Sequence, residues 1–116
     1  MFPYESLEVY KKSFLFHKST LTLIQSLPKT PAYLKNQFGR ASLSILLNIA
    51  EGSAKFRSKD RRNFLVTARG SAFECSALVK VFHSENLVSD RNKMEQIGVT
   101  GRNFKNALYD DKESGR

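Results

Sequence analysis

The sequence predicts an all-α protein, an up-down-up-down antiparallel four-helix bundle that forms a single domain over residues 1–116. Apolar residues recur at steps of three and four along four long segments, which is the period of one face of a helix. The corners between segments are short, so consecutive helices are expected to pack antiparallel. No segment alternates apolar and polar residues as a strand does. The predicted helices cover residues 5–27, 31–52, 58–85 and 89–109, and residues 110–116 form a polar tail.

The first predicted helix carries two apolar rows. One row consists of Leu7, Tyr10, Phe14, His17, Leu21 and Ile24. We take this row as the main inward face, because its steps alternate between three and four residues. The second row, formed by Val9, Phe16, Leu23 and Leu27, either widens the first or faces another neighbour. Pro28 ends the helix, because proline lacks an amide hydrogen and disfavours the α conformation before it.

Capping residues begin the next two helices. Thr30 is the predicted N-cap of the second helix, with Pro31 at its first position. Ser58 is the predicted N-cap of the third helix, and Asp60 follows in its first turn. The inward row of the second helix is Leu34, Phe38, Ala41, Ile45, Asn48 and Ile49. The inward row of the third helix is Phe64, Ala68, Ser71, Cys75, Leu78 and Phe82.

The fourth predicted helix opens at Ser89-Asp90 and is expected to be the least stable. Its apolar row is Met94, Ile97, Gly101, Phe104 and Leu108. The glycines at 98 and 101 each cost about 1 kcal/mol relative to alanine in a helix.

Composition indicates a basic cytoplasmic protein. The chain has 19 Lys and Arg against 11 Asp and Glu, a formal net charge of +8. Such a surplus attracts polyanions such as RNA or DNA, although it also serves solubility alone. A single cysteine excludes an internal disulfide and suits a reducing compartment. No run of about 18 apolar residues predicts a membrane span, and the N-terminus lacks a signal-peptide pattern.

Four polar residues lie in or beside the inward rows: Arg40, Asn48, Glu51 and Glu74. Buried polar groups persist only when hydrogen-bonded, and a buried carboxylate requires a cationic partner. We therefore expect a structural network in which Asn48 and Glu51 fix the corner and Arg40 meets Glu74 across the helix pair. Ferritin-like di-iron bundles use Glu-x-x-His motifs, and neither histidine lies three residues after a glutamate. We predict no metal, no cofactor and no catalytic residue, and therefore no enzyme.

The corner between the second and third helices carries the candidate binding residues. Six cations lie between positions 55 and 69: Lys55, Arg57, Lys59, Arg61, Arg62 and Arg69. One acid, Asp60, accompanies them, which leaves a local net charge of +5. Positive charge at the start of a helix opposes the helix dipole and so does not serve helix stability. It suits anion binding, and Phe56 can stack on a base or enter a partner. A solvated helix start is the alternative interpretation.

Several of these residues also form a recognisable pattern. It comprises Leu7-Glu8-Val9-Tyr10, Arg40-Ala41, Ser44-Ile45, Asn48-Ile49-Ala50-Glu51-Gly52, Arg57-Ser58, Phe64-Leu65, Ala68, Gly70-Ser71 and Glu74. The pattern resembles a family of bacterial four-helix-bundle proteins that are encoded in intervening sequences of 23S ribosomal RNA genes. The chain departs from the family at positions 54–58, where Ala-Lys-Phe-Arg-Ser keeps the charge but adds an aromatic residue.

The resemblance implies a ring-forming homo-oligomer, typically a homopentamer, with no enzymatic activity. Similar bundles are accessory proteins of diversity-generating retroelements, where they bind nucleic acid and a reverse transcriptase. We therefore expect a protein that binds RNA or DNA through phosphates. The alternative is a scaffold or adaptor that docks a reverse transcriptase or another acidic protein without touching nucleic acid.

Overall fold

The computed structural model describes residues 3–27 and 29–84. A short 3-10 helix, Pro3–Ser6, precedes three α-helices: α1 (Glu8–Gln25), α2 (Ala32–Ser53) and α3 (Ser58–Ser84). The described residues contain no strand, and none of their helices is long and apolar enough to cross a membrane. The predicted fourth helix (89–109), the tail 110–116 and Pro28 lie outside the described residues.

The core lies along the line where α2 meets its neighbours, since α2 packs against both α1 and α3. Phe38 of α2 is fully buried and stacks on Phe82 of α3, with ring centroids 5.3 Å apart. The ring of Phe16 of α1 lies 6.5 Å from the same Phe38. One line of three aromatic rings therefore joins all three helices, and such pairs add about 0.5–1.5 kcal/mol each beyond the area they bury.

The buried face of α1 is the row that the sequence ranked second. Its buried positions are Val9, Ser13, Phe16, Thr20 and Leu23, with Leu27 just beyond the helix. The row containing Leu7, Phe14 and Leu21 is wrong as the inward face, because these side chains are 38%, 45% and 43% exposed. The buried row contains two hydroxyl residues, Ser13 and Thr20, which interrupt its apolar pattern in the sequence. Each of these hydroxyls forms a hydrogen bond within α1. Ser13 Oγ donates to Tyr10 O at 2.8 Å, and Thr20 Oγ1 donates to Phe16 O at 3.1 Å.

The inward rows of α2 and α3 are confirmed at eight positions. These are the buried residues Phe38, Ala41, Ile45, Ile49, Ala68, Cys75, Leu78 and Phe82. The two predicted N-caps are wrong by one residue. Pro31, with an extended ψ of 138°, caps α2 in place of Thr30. Ser58 is already helical, because the first ladder bond of α3 runs from Arg61 N to Arg57 O at 3.1 Å.

Candidate nucleic-acid interface

A close approach of two helices shapes the corner between α2 and α3. Gly52 is buried in the last turn of α2, and a Cβ added there would lie 2.9 Å from Phe64 Cβ and 3.4 Å from Arg61 O. Real Cβ atoms essentially never approach so closely, so only glycine permits this contact. The end of α2 therefore rests directly on the second turn of α3.

Residues 54–57 form the connection between these helices, and its backbone is tied at both ends. Ala54 N donates to Glu51 O and Lys55 N donates to Gly52 O, each at 3.1 Å. The carbonyl of Arg57 accepts the first bond of α3. Lys55 Nζ lies 5.3 Å from the centroid of the Phe64 ring, a cation–π contact within the usual range. The corner is therefore a defined protrusion, in which the backbone positions of the cations are fixed.

Hydrogen-bonded polar side chains lie along the contact between α2 and α3. Ser71 Oγ donates to Ser44 Oγ at 2.9 Å. Asn48 Nδ2 donates to the carbonyl of Ser44 at 2.7 Å and to its hydroxyl at 3.1 Å. Further along the pair, Gln37 Nε2 donates to Glu74 Oε1 at 2.7 Å. The Ser71–Ser44 and Gln37–Glu74 bonds join α2 to α3 and so fix the register of the two helices on which the corner depends.

The predicted polar network is therefore only partly the one that forms. Asn48 is half-buried and acts through Ser44, one turn before the corner. Glu51 is exposed and contributes to the corner through its backbone carbonyl. Arg40 and Glu74 are both exposed, and Glu74 pairs with the neutral Gln37. The expected buried Arg40–Glu74 ion pair is wrong, because both side chains reach water and neither requires a buried counter-ion.

The six candidate cations are placed unequally. Lys55 and Arg57 lie on the connection, and Lys59 and Arg62 lie in the first two turns of α3; all four are exposed. Arg61 is half-buried, and its Nη2 donates to Ser58 Oγ at 3.3 Å. Arg69 is half-buried and lies two turns beyond Arg62. The corner therefore presents four exposed cations close together in sequence, with the half-buried Arg61 among them and Arg69 further along α3.

The structure adds a feature that the sequence reasoning missed, a row of residues along the outer face of α3. The row consists of Lys59, Arg62, Val66, Arg69, Phe73 and Lys80. From Lys59 to Phe73 they follow three- and four-residue steps, and Lys80 lies two turns beyond Phe73, so they share one face of the helix. Val66 is 43% exposed and Phe73 is 47% exposed. The row extends about 32 Å at 1.5 Å per residue, and the spacing alone would have revealed it in the sequence.

Phe56 stands at the tip of the corner and is 98% exposed. The other exposed large apolar side chains of the described residues lie between 38% and 71%. The neighbouring Lys55 and Arg57 place a cation on each side of it along the chain. The corner therefore combines a bare aromatic ring with cations on both sides.

Cys75 and His17, two potentially reactive side chains of the described residues, are not part of this corner. Burial raises the pKa of the Cys75 thiol to about 12, with a further contribution from the charge of Glu74. Cys75 therefore behaves as a small apolar residue, as expected from its place in the inward row. His17 is half-buried, its Nδ1 lies 2.6 Å from Ser42 Oγ, and desolvation lowers its pKa. Within the described residues, no group of three or more His, Cys, Asp or Glu could hold a metal ion.

The chain resembles known proteins both in sequence and in structure. A family model described as "23S rRNA-intervening sequence protein" matches residues 5–102. The fold is similar to that of a crystal structure from Bacteroides thetaiotaomicron, described as a protein with unknown function from the S23 ribosomal protein family. That similarity has a TM-score of 0.84 at 22% identity and covers 90% of this chain and 97% of the other. Among functionally curated proteins, none matches significantly.

Proposed function

The chain belongs to the 23S rRNA-intervening sequence protein family, and we propose that it is a non-enzymatic, oligomeric accessory protein that binds RNA or DNA. The contact is made with phosphates at the basic corner, which we define as Lys55, Arg57, Lys59, Arg61, Arg62 and Arg69. Residues 89–109 complete a four-helix bundle in this proposal, and the protein acts in the cytoplasm.

The observation that carries the proposal is the concentration of exposed cations around one protruding helix start. Four exposed cations occupy positions 55–62, and Asp60 and Glu51 are the acidic residues nearest to them in the chain. The amide groups at the start of α3 add partial positive charge at the same place. The helix dipole does not benefit from cations at this end, and of the cations at positions 55–62 only Lys55 and Arg61 make a side-chain hydrogen bond or cation–π contact with other described residues. A phosphate backbone benefits from both the charges and the amides.

Phosphate binding at this corner is tested by neutralising three exposed cations whose side chains make no hydrogen bond, ion pair or cation–π contact with other described residues. The variant Arg57→Gln/Lys59→Gln/Arg62→Gln leaves the half-buried Arg61 and the ring-bound Lys55 in place. Three lost phosphate contacts reduce the slope of log K against log salt by about 2–3. The measurement is fluorescence anisotropy with RNA and DNA between about 50 and 200 mM salt.

A matched control separates the corner from total charge. Lys18→Gln/Lys29→Gln/Lys35→Gln removes the same formal charge from α1 and from the corner at the opposite end of α2. We expect this control to retain most of the wild-type affinity and slope. The proposal fails when both triple variants bind alike, or when wild-type binding does not depend on salt.

A protein-docking role is the second candidate, and an exposed apolar surface favours it. Leu7, Phe14 and Leu21 form an exposed row on α1, and Leu43 and Leu47 are 39% and 48% exposed on α2. The α1 row lies on the side of α2, because His17 of the same row meets Ser42 of α2. Exposed apolar side chains gathered on two adjacent helices are typical of protein contacts.

We assign this surface first to copies of the same chain, in keeping with the homopentamer that the family resemblance implies. A reverse transcriptase or another acidic protein is the alternative occupant. Sedimentation velocity on Leu21→Gln/Leu47→Gln tests self-association, and we expect smaller species than for the wild type. Leu15→Gln is the matched control, because Leu15 is 61% exposed on the other side of α1. Unchanged assembly in the double variant would exclude this surface as the subunit contact.

A further inference from the structure

The exposure of Phe56 has no explanation in the fold. The side chain is 98% exposed, although burying a phenylalanine contributes about 1.5–3 kcal/mol. Phe64, eight residues later, packs at the base of the same corner against Gly52 and below Lys55. The structure therefore uses one aromatic residue of the corner for packing and leaves the other in water.

The backbone on both sides of Phe56 is hydrogen-bonded to the adjoining helices. The bonds Lys55 N to Gly52 O and Arg61 N to Arg57 O fix the backbone immediately before and after it. The ammonium of Lys55 is engaged with Phe64 and not with Phe56. Among the described residues, the aromatic and cation–π contacts do not include the Phe56 ring. Both faces of this ring are therefore available to a planar ligand group.

We propose that Phe56 stacks on an unpaired base, so that the ligand class of the basic corner is single-stranded or looped nucleic acid. This inference rests on the proposed phosphate binding, because Arg57, Lys59 and Arg62 hold the backbone that carries the base. An aromatic ring stacks on a base only when that base is unstacked from its own neighbours. In a duplex both faces of each base are covered, and a protruding ring finds no partner there. The cations of the basic corner alone do not distinguish single strands from duplexes, whereas the Phe56 ring does.

Stacking is tested first by binding measurements on three substitutions of the same residue. Because Phe56 is almost fully exposed, Phe56→Ala, Phe56→Leu and Phe56→Tyr are all expected to fold, which circular dichroism confirms. The probes are an oligouridylate and an oligothymidylate of about 20 nucleotides, longer than the 4–16 nucleotides typical of one single-strand site, and a duplex of equal length. We expect Phe56→Ala to lose roughly five- to a hundredfold in affinity for the single strands.

The other two substitutions distinguish stacking from simple apolar contact. Leucine keeps the apolar volume but lacks a planar face, so Phe56→Leu is expected to match Phe56→Ala. Tyrosine keeps the ring, so Phe56→Tyr is expected to match the wild type. Duplex affinity and the salt dependence stay unchanged in all three variants, because the cations are intact.

A spectroscopic test reports the ring directly. The chain contains four tyrosines but no tryptophan, so Phe56→Trp introduces a single indole at the tip, which is excited selectively at wavelengths that tyrosine does not absorb. Stacking on a base quenches indole emission, and we expect strong quenching by the single strands and little by the duplex. Tyr33→Trp is the matched control, because Tyr33 is 71% exposed near the opposite end of α2. This second emitter is expected to keep its intensity with either ligand.

The outcomes separate this inference from the function on which it rests. Equal single-strand affinities for wild type, Phe56→Ala and Phe56→Leu overturn the stacking role while leaving the phosphate contacts intact. Equal losses of affinity for the single strands and for the duplex also overturn it, because the ring then makes a contact that does not depend on an unpaired base. Binding of an acidic protein that requires Phe56, without quenching by nucleic acid, assigns the ring to a protein pocket instead. If the wild type shows no salt-dependent binding of nucleic acid, the proposed function itself is refuted.

Discussion

Gly52→Ala tests the packing that builds the corner. The new methyl group would lie 2.9 Å from Phe64 Cβ and 3.4 Å from the carbonyl oxygen of Arg61. Neither atom is the flexible end of a side chain, so the two helices must separate to admit it. Overpacking of this kind costs about 1–3 kcal/mol, and replacing glycine by alanine within a helix returns at most about 1 kcal/mol. We expect a net loss of up to about 2 kcal/mol in the free energy of unfolding.

Gly70→Ala is the matched control for this prediction. Gly70 lies inside α3, and a Cβ added there meets nothing within 4 Å. The same substitution therefore stabilises the protein by about 0.5–1 kcal/mol through backbone entropy and helix propensity. Urea unfolding followed by circular dichroism measures both variants. Should Gly52→Ala prove as stable as Gly70→Ala, the close approach of α2 and α3 at the corner would be refuted.

Three further predictions concern buried or half-buried groups of the described helices. Desolvation lowers the pKa of His17 in the folded state, so the imidazole takes up a proton on unfolding when the pH is near 6.5. The free energy of unfolding therefore falls as the pH is lowered from about 7.5 to 5.5. Urea titrations across that range should show a shallower decline for His17→Gln. Thr20→Val is expected to be neutral or stabilising by up to about 1 kcal/mol, because Phe16 O keeps its helical amide partner when the hydroxyl is removed. Ser42→Ala removes the partner of His17 Nδ1. It should instead destabilise the protein by about 1 kcal/mol in the same unfolding assay. Because its pKa is raised to about 12, Cys75 should react with dithionitrobenzoate only at the rate of unfolding, and fast modification under native conditions would contradict its burial.

The helical content of the described residues was predictable because three segments carry strong apolar periodicity and few helix breakers. The face that α1 buries was not. The row with Leu7, Phe14 and Leu21 is interrupted only by His17, whereas the buried row contains Ser13 and Thr20. A hydroxyl that bonds its own preceding turn is compatible with burial, but the residue letters do not state whether the bond forms. Helix polarity patterns therefore identify candidate faces, and the partner helix decides between them.

The candidate cations were predictable as a cluster because they are contiguous in sequence, and contiguity survives folding. Their division into exposed and half-buried members was not, since it depends on which side of α3 meets α2. The polar network failed for a related reason. Gln37 reaches Glu74 across the helix pair, and that pairing depends on the relative register of α2 and α3. Register follows from contacts such as Ser44 with Ser71, which lie 27 residues apart.

The close packing at Gly52 and the exposure of Phe56 belong to one arrangement. The end of α2 rests on α3 through Gly52 and Phe64, and the connection 54–57 begins at this contact. Lys55 lies over the Phe64 ring, and the next residue, Phe56, is exposed to solvent. Relaxing the corner with Gly52→Ala should therefore weaken single-strand binding as well as stability, whereas Gly70→Ala should leave binding unchanged. A Gly52→Ala protein that loses stability but binds single strands like the wild type would show that the tip does not depend on this packing.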